Sequence, residues 1–123
     1  AVEAGQGSYS KNKELVAWSY FALTLLNYRE GNDARATQWA ERCLEVPSPN
    51  LSRETSVRIL LAMIAQRERK TDAARVLLDA AEATVREGLS QNMRMGMQSD
   101  GFWFDWINAR ILLREAIEGI GKL

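Results

Sequence analysis

The chain contains no histidine and only one cysteine, Cys43, among its 123 residues. Without an imidazole a serine or cysteine nucleophile loses its usual activating base, and one thiol closes neither an internal disulfide nor a structural zinc site. Cys43 falls on an apolar helical stripe and reads as a small packing residue. Proline is nearly absent too, and its two copies, Pro47 and Pro49, sit together, leaving long stretches on either side open to helix. Sixteen basic side chains balance sixteen acidic ones. A neutral total offers no field to gather phosphate backbones or anionic lipid, so neither nucleic acid nor a membrane surface is an expected partner. No apolar run approaches the roughly 20 residues that insert across a bilayer. A glycine-rich phosphate loop, paired cysteines and a nucleophile elbow are all missing, and carboxylates such as Asp100 and Asp105 read as helix caps. Neither a cofactor, a metal nor catalysis is expected.

What is present describes a folded chain. Hydrophobic residues make up 46% and charged residues 26%, the balance of a globular protein and not of a disordered one. The length suits one domain over residues 11–123. Residues 1–10, rich in glycine and serine, read as a flexible lead-in, and the opening AVEAGQGS lacks the apolar core of a secretion signal. With a single thiol, a reducing, cytoplasmic compartment is the expectation.

The strongest pattern is an internal repeat. Residues 13–46 and 51–84 match at an offset of 38, with Leu23 answered by Leu61, Leu25 by Met63, Leu26 by Ile64, Ala36 by Ala74, Trp39 by Leu77, Ala40 by Leu78 and Cys43 by Ala81. Each pairing keeps a side chain apolar or small, as contacts between neighbouring helices require. The spacing of apolar residues predicts a first helix over about 10–29, ended by Gly31, and a second to about Glu45, capped by Asn32 or Asp33 and stopped by Pro47. A third, with Ser52 as N-cap, runs to about Arg69, and a fourth runs from Thr71 or Asp72 to a closing Gly88. Residues 89–101 lose the periodicity and read as an irregular insertion. A fifth helix over about 102–118 carries ARILL, an echo of VRILL at 57–61. The fold class is therefore all-α, about five helices in antiparallel hairpins.

From Trp18 to Pro47 the chain resembles the tetratricopeptide-repeat family of paired-helix solenoids. Tyr20, Leu23, Tyr28, the turn glycine Gly31, and Ala36, Ala40, Cys43 and Leu44 carry the likeness, and Leu61, Ala62, Ala74, Leu78 and Ala81 take the corresponding places in the second copy. The offset is longer than the family's usual repeat of about 34 residues. Arg69 stands at the turn position of Gly31, Arg58 at that of Tyr20, and Thr24 in a slot usually held by glycine or alanine. The resemblance implies a right-handed stack of hairpins whose first helices line an inner face that binds a protein or peptide. On that face it places Trp18, Phe21, Leu25 and Tyr28, then Ser56, Ile59, Leu60, Met63 and Arg67. The polar clamp that reads carboxylates in some members is missing, so an apolar ligand or another protein's helix is the implied partner. Either that face is open to a partner, or the fifth helix or a second copy of the chain fills it.

Trp103 and Trp106 lie in the aromatic run 102–106 beside a methionine-containing segment, a composition favoured at adaptable contact surfaces. The same aromatics would equally dock the fifth helix onto the fourth. The expected function is a protein-interaction or scaffold module within a larger assembly. Its rival is a helical domain that encloses a small ligand.

Overall fold

The computed structural model describes residues 2–47, 50–95 and 103–121, with side-chain surroundings for 12–47, 50–91 and 105–119. Five helices occupy these residues: α1 (Val2–Arg29), α2 (Asp33–Glu45), α3 (Leu51–Arg67), α4 (Thr71–Met95) and α5 (Trp103–Gly121). The fold is all-α, and no strand occurs among the described residues.

The ends of the helices depart from the sequence expectation for physical reasons. Helix α1 begins at Val2, so residues 2–10, expected to be flexible, continue the helix. Once a helix is nucleated, each further residue adds a hydrogen bond, and propagation tolerates Gly5 and Gly7 at about 1 kcal/mol each. Helix α4 runs through Gly88 to Met95, so Gly88 is interior and most of the expected irregular segment up to that point is helical. Residues 96–101 of that segment lie outside the described residues. The N-cap of α3 is Asn50 and not Ser52: Asn50 Oδ1 accepts from the Arg53 N–H at 3.0 Å, and the Ser52 hydroxyl donates to that same oxygen at 2.7 Å. Asn32 caps α2 in the same way, accepting from the Arg35 N–H at 3.2 Å.

The two hairpin turns are built alike, 38 residues apart. After α1, the Asn32 N–H donates to the Asn27 carbonyl at 2.8 Å and the Gly31 N–H to that of Tyr28 at 3.0 Å. After α3, the Lys70 N–H donates to Ala65 at 2.8 Å and the Arg69 N–H to Gln66 at 3.0 Å. Both are Schellman caps, in which a left-handed residue lets the chain reverse while closing the last carbonyls of the helix. That residue is Gly31, at φ +81°, in the first turn and Arg69, at φ +63°, in the second.

The described contacts divide the chain into two compact units, separating between Pro49 and Asn50. The first is the α1–α2 hairpin. Ala17, Ala36, Ala40 and Cys43 are buried in it, and the Cys43 thiol donates to the Ala17 carbonyl at 3.3 Å. On a flank of this hairpin the Tyr20 and Trp39 rings stack 5.4 Å apart, and the Arg42 guanidinium lies 5.0 Å from the Trp39 centroid. The second unit holds α3, α4 and α5, each in contact with the other two. Its core includes Val57, Ile59, Leu60, Ala74, Leu78, Val85, Trp106 and Leu113. The Trp106 indole lies flat against the α4 backbone at Gly88, where a Cβ would meet Cδ2 and Cε2 at 2.5 Å. Glycine is required there for close approach, not for ending a helix.

Candidate interaction face

From Leu15 to Leu26 helix α1 has only Ser19 and Thr24 as polar breaks and is apolar on nearly every side, yet within its unit it has a single partner helix, α2. A helix of that kind is expected to be covered all round. The side it buries carries Ala17, Thr24, Asn27 and Tyr28. The polar groups there close onto α1's own backbone, with Thr24 Oγ1 donating to the Tyr20 carbonyl at 2.7 Å and Asn27 Nδ2 to that of Leu23 at 2.8 Å. Their donors are satisfied locally and ask nothing of α2.

The opposite side is apolar and uncovered. Leu15 is 65% exposed and Leu26 53%, and Ala22 between them is exposed as well. Trp18 and Leu25 are half-buried and share this side, since Trp18, Ala22 and Leu25 follow Leu15 at i+3, i+7 and i+10, the spacing that lines up one helical face. Phe21 flanks them, its ring edge-on to Trp18 at 5.7 Å and 87°. Ser19, the polar residue within the stripe, donates its hydroxyl to the Leu15 carbonyl at 2.8 Å, so its hydrogen faces the helix. From Leu15 to Leu26 the stripe covers about 16 Å at 1.5 Å per residue.

The eight residues expected to form the binding surface are not all brought to it. Trp18, Phe21 and Leu25 are on α1, partly accessible, at the edge of the exposed stripe. Tyr28 is buried, with the Arg29 guanidinium 5.5 Å from its ring centroid. In the second unit Ile59 and Met63 are core residues, 0% and 4% exposed, because α3 packs against both α4 and α5. Trp106 is fully buried, and its indole Nε1 has no hydrogen-bond partner among the described residues. These three offer no surface to a partner. The side chain of Trp103 lies outside the described residues.

Leu15, Ala22 and Leu26, exposed beside Trp18, Phe21 and Leu25, were not among the expected residues. A signal was available: a helix apolar on every side that has one short hairpin partner must leave one face uncovered. The repeat shows the same asymmetry. Leu25 and Leu26 are half-buried and exposed, whereas their counterparts Met63 and Ile64 are both buried. The mixed-charge tip after α3 is a solvated surface, where Lys70 Nζ sits 2.9 Å from Glu68 and both side chains are exposed. Among the described residues no helix is long and apolar enough to cross a membrane. Compared with known proteins, the chain matches no family model, no curated protein and no solved structure.

Proposed function

We propose that this chain is a non-catalytic protein-interaction module, related in design to the tetratricopeptide repeats, that binds an apolar helix or peptide along α1. The observation that carries the reading is the uncovered stripe of Leu15, Ala22 and Leu26, edged by Trp18, Phe21 and Leu25. An apolar stripe of this length is unfavourable in water, and proteins keep such faces where a partner covers them. Two identically bonded turns 38 residues apart support the repeat part of the reading. The aromatic edge supplies the anchors on which binding energy concentrates. The surface proposed is narrower than the sequence suggested, since Ile59, Met63 and Trp106 belong to the core.

The test compares the wild-type chain with a Leu15→Asp, Leu26→Asp variant in affinity capture read by mass spectrometry. Both positions are exposed, so the variant keeps the wild-type melting temperature. A partner held by the wild type and lost by the variant supports the reading. Capture of the same proteins by both overturns it. With the partner in hand, Phe21→Ala weakens the complex by about 2 kcal/mol if the ring is a central anchor. Added salt changes the affinity little, because few ion pairs are screened.

A further inference from the structure

The second unit carries a cleft of about 500 Å³ between α4 and α5. That volume falls within the range of small-molecule sites, roughly 300–1,000 Å³. Buried Val85 and Leu113, with half-buried Leu89, form its apolar wall, and Arg86, Ser90 and Arg110 supply the polar one.

The polar wall is not self-satisfied. Glu82, also in the lining, holds Arg86 at 3.0 Å across one helical turn. Arg110 pairs with no carboxylate among the described residues. The hydroxyls of Ser19, Thr24, Thr37, Thr55 and Thr84 each bond the carbonyl four residues back, whereas Ser90 makes no such bond among the described residues. Summed over the lining, Arg86 and Glu82 cancel, which leaves one positive charge, one hydroxyl and an apolar surface facing the same space.

We propose that this cleft binds a carboxylate attached to a short apolar chain. The Arg110 guanidinium forks onto the two carboxylate oxygens, the Ser90 hydroxyl donates to one of them, and the chain lies along Val85, Leu89 and Leu113. Charge selects the ligand. A phosphate dianion would meet only one uncompensated cation, and a neutral apolar molecule would strip water from Arg110 without replacing it. Such a carboxylate comes either from a free short-chain acid or from the C-terminal residue of a peptide. The inference does not depend on the α1 face.

Hexanoate, hexanamide and N-acetyl-leucine, titrated separately into the full chain, test it by methyl NMR. Hexanoate is expected to shift the methyl signals of Val85, Leu89 and Leu113 along one saturable curve, with hexanamide at least about tenfold weaker because it cannot accept the charged fork. Arg110→Gln is expected to weaken hexanoate by about tenfold or more, with an unchanged melting temperature since Arg110 is exposed. N-acetyl-leucine competing at the same signals and binding more tightly than hexanoate assigns the carboxylate to a peptide terminus, and the reverse order assigns it to a free acid. Silence at these three residues, equal binding of hexanoate and hexanamide to the wild type, or an unchanged affinity in Arg110→Gln overturns the proposal.

Discussion

Substituting Gly88 by alanine sets two effects of opposite sign against each other. In a helix interior alanine is favoured over glycine by about 1 kcal/mol, because glycine has more backbone freedom to lose on folding. At Gly88, however, the new methyl would stand 2.5 Å from Trp106 Cδ2 and Cε2 and 2.6 Å from Cζ2. That is roughly 1 Å inside the distance at which carbon atoms attract, about 3.5–4.0 Å. The indole cannot swing clear cheaply, since Trp106 is fully buried. Overpacking of a filled site costs about 1–3 kcal/mol, and three ring atoms in the way place this case toward the upper end. The steric effect wins, and the variant is less stable by about 1–2 kcal/mol after the propensity gain is subtracted. For a unit of this size the melting temperature falls by roughly 4–8 °C per kcal/mol. Melts and urea titrations followed by far-UV circular dichroism measure this in wild type, Gly88→Ala, Trp106→Leu and the double variant. With the ring gone the methyl has room, so alanine becomes neutral or favourable in the Trp106→Leu background. A rise in stability for Gly88→Ala alone, or strict additivity in the double variant, refutes the packing of α5 against α4 at this point.

The turn sites give a paired test: Gly31→Ala places a side chain at φ +81° with nothing within 4 Å of its Cβ, so its loss of about 1 kcal/mol is purely conformational, whereas Arg69→Gly relieves φ +63° and gains up to about 1 kcal/mol. Urea midpoints moving in the same direction for the two variants would contradict the matched turns. Asn50→Ala removes the acceptor for the Arg53 N–H and destabilises by about 1 kcal/mol, with Ser52→Ala smaller; equal losses would return the cap to Ser52. Ala74→Leu forces a larger side chain into a fully buried site, and its urea midpoint should drop by an amount equivalent to about 1–3 kcal/mol.

Much of the local architecture was legible in the sequence because its signals are local. Gly31 and Pro47 bracket α2, and the small residues Ala36, Ala40, Cys43, Ala74 and Ala81 are all buried where their spacing placed them. What escaped depends on distant neighbours. Gly88 has the same backbone freedom whether it ends a helix or sits beneath an indole, and only Trp106, eighteen positions on, decides between the two. Met63 and Leu25 occupy equivalent repeat positions, yet the first is core and the second partly accessible, because α3 meets α5 as well as α4. Of the residues expected to bind, Trp18, Phe21 and Leu25 are partly accessible while Ile59 and Met63 are core, and only the placement of α5 decides that difference. Asn50 was missed for a smaller reason: Ser52 and Asn50 are both good caps, and they share one oxygen.

Helix α3 has ten buried positions, Ser52 and Thr55 among them, while α2 buries only Ala36, Ala40 and Cys43. That difference sets how each helix gives up its amide protons to solvent. An amide on the outer side of α2 exchanges through fraying or brief local opening of an exposed backbone. The outer strip of α3 is narrow, with Arg58 its one exposed residue between Ser52 and Gln66, and Ile59 and Leu60 are fully buried, so an amide near them exchanges only when the three helices of its unit come apart together. Hydrogen exchange along α3 thus reports the opening free energy of the whole second unit, and its slowest amides put a number on how firmly that unit is held closed.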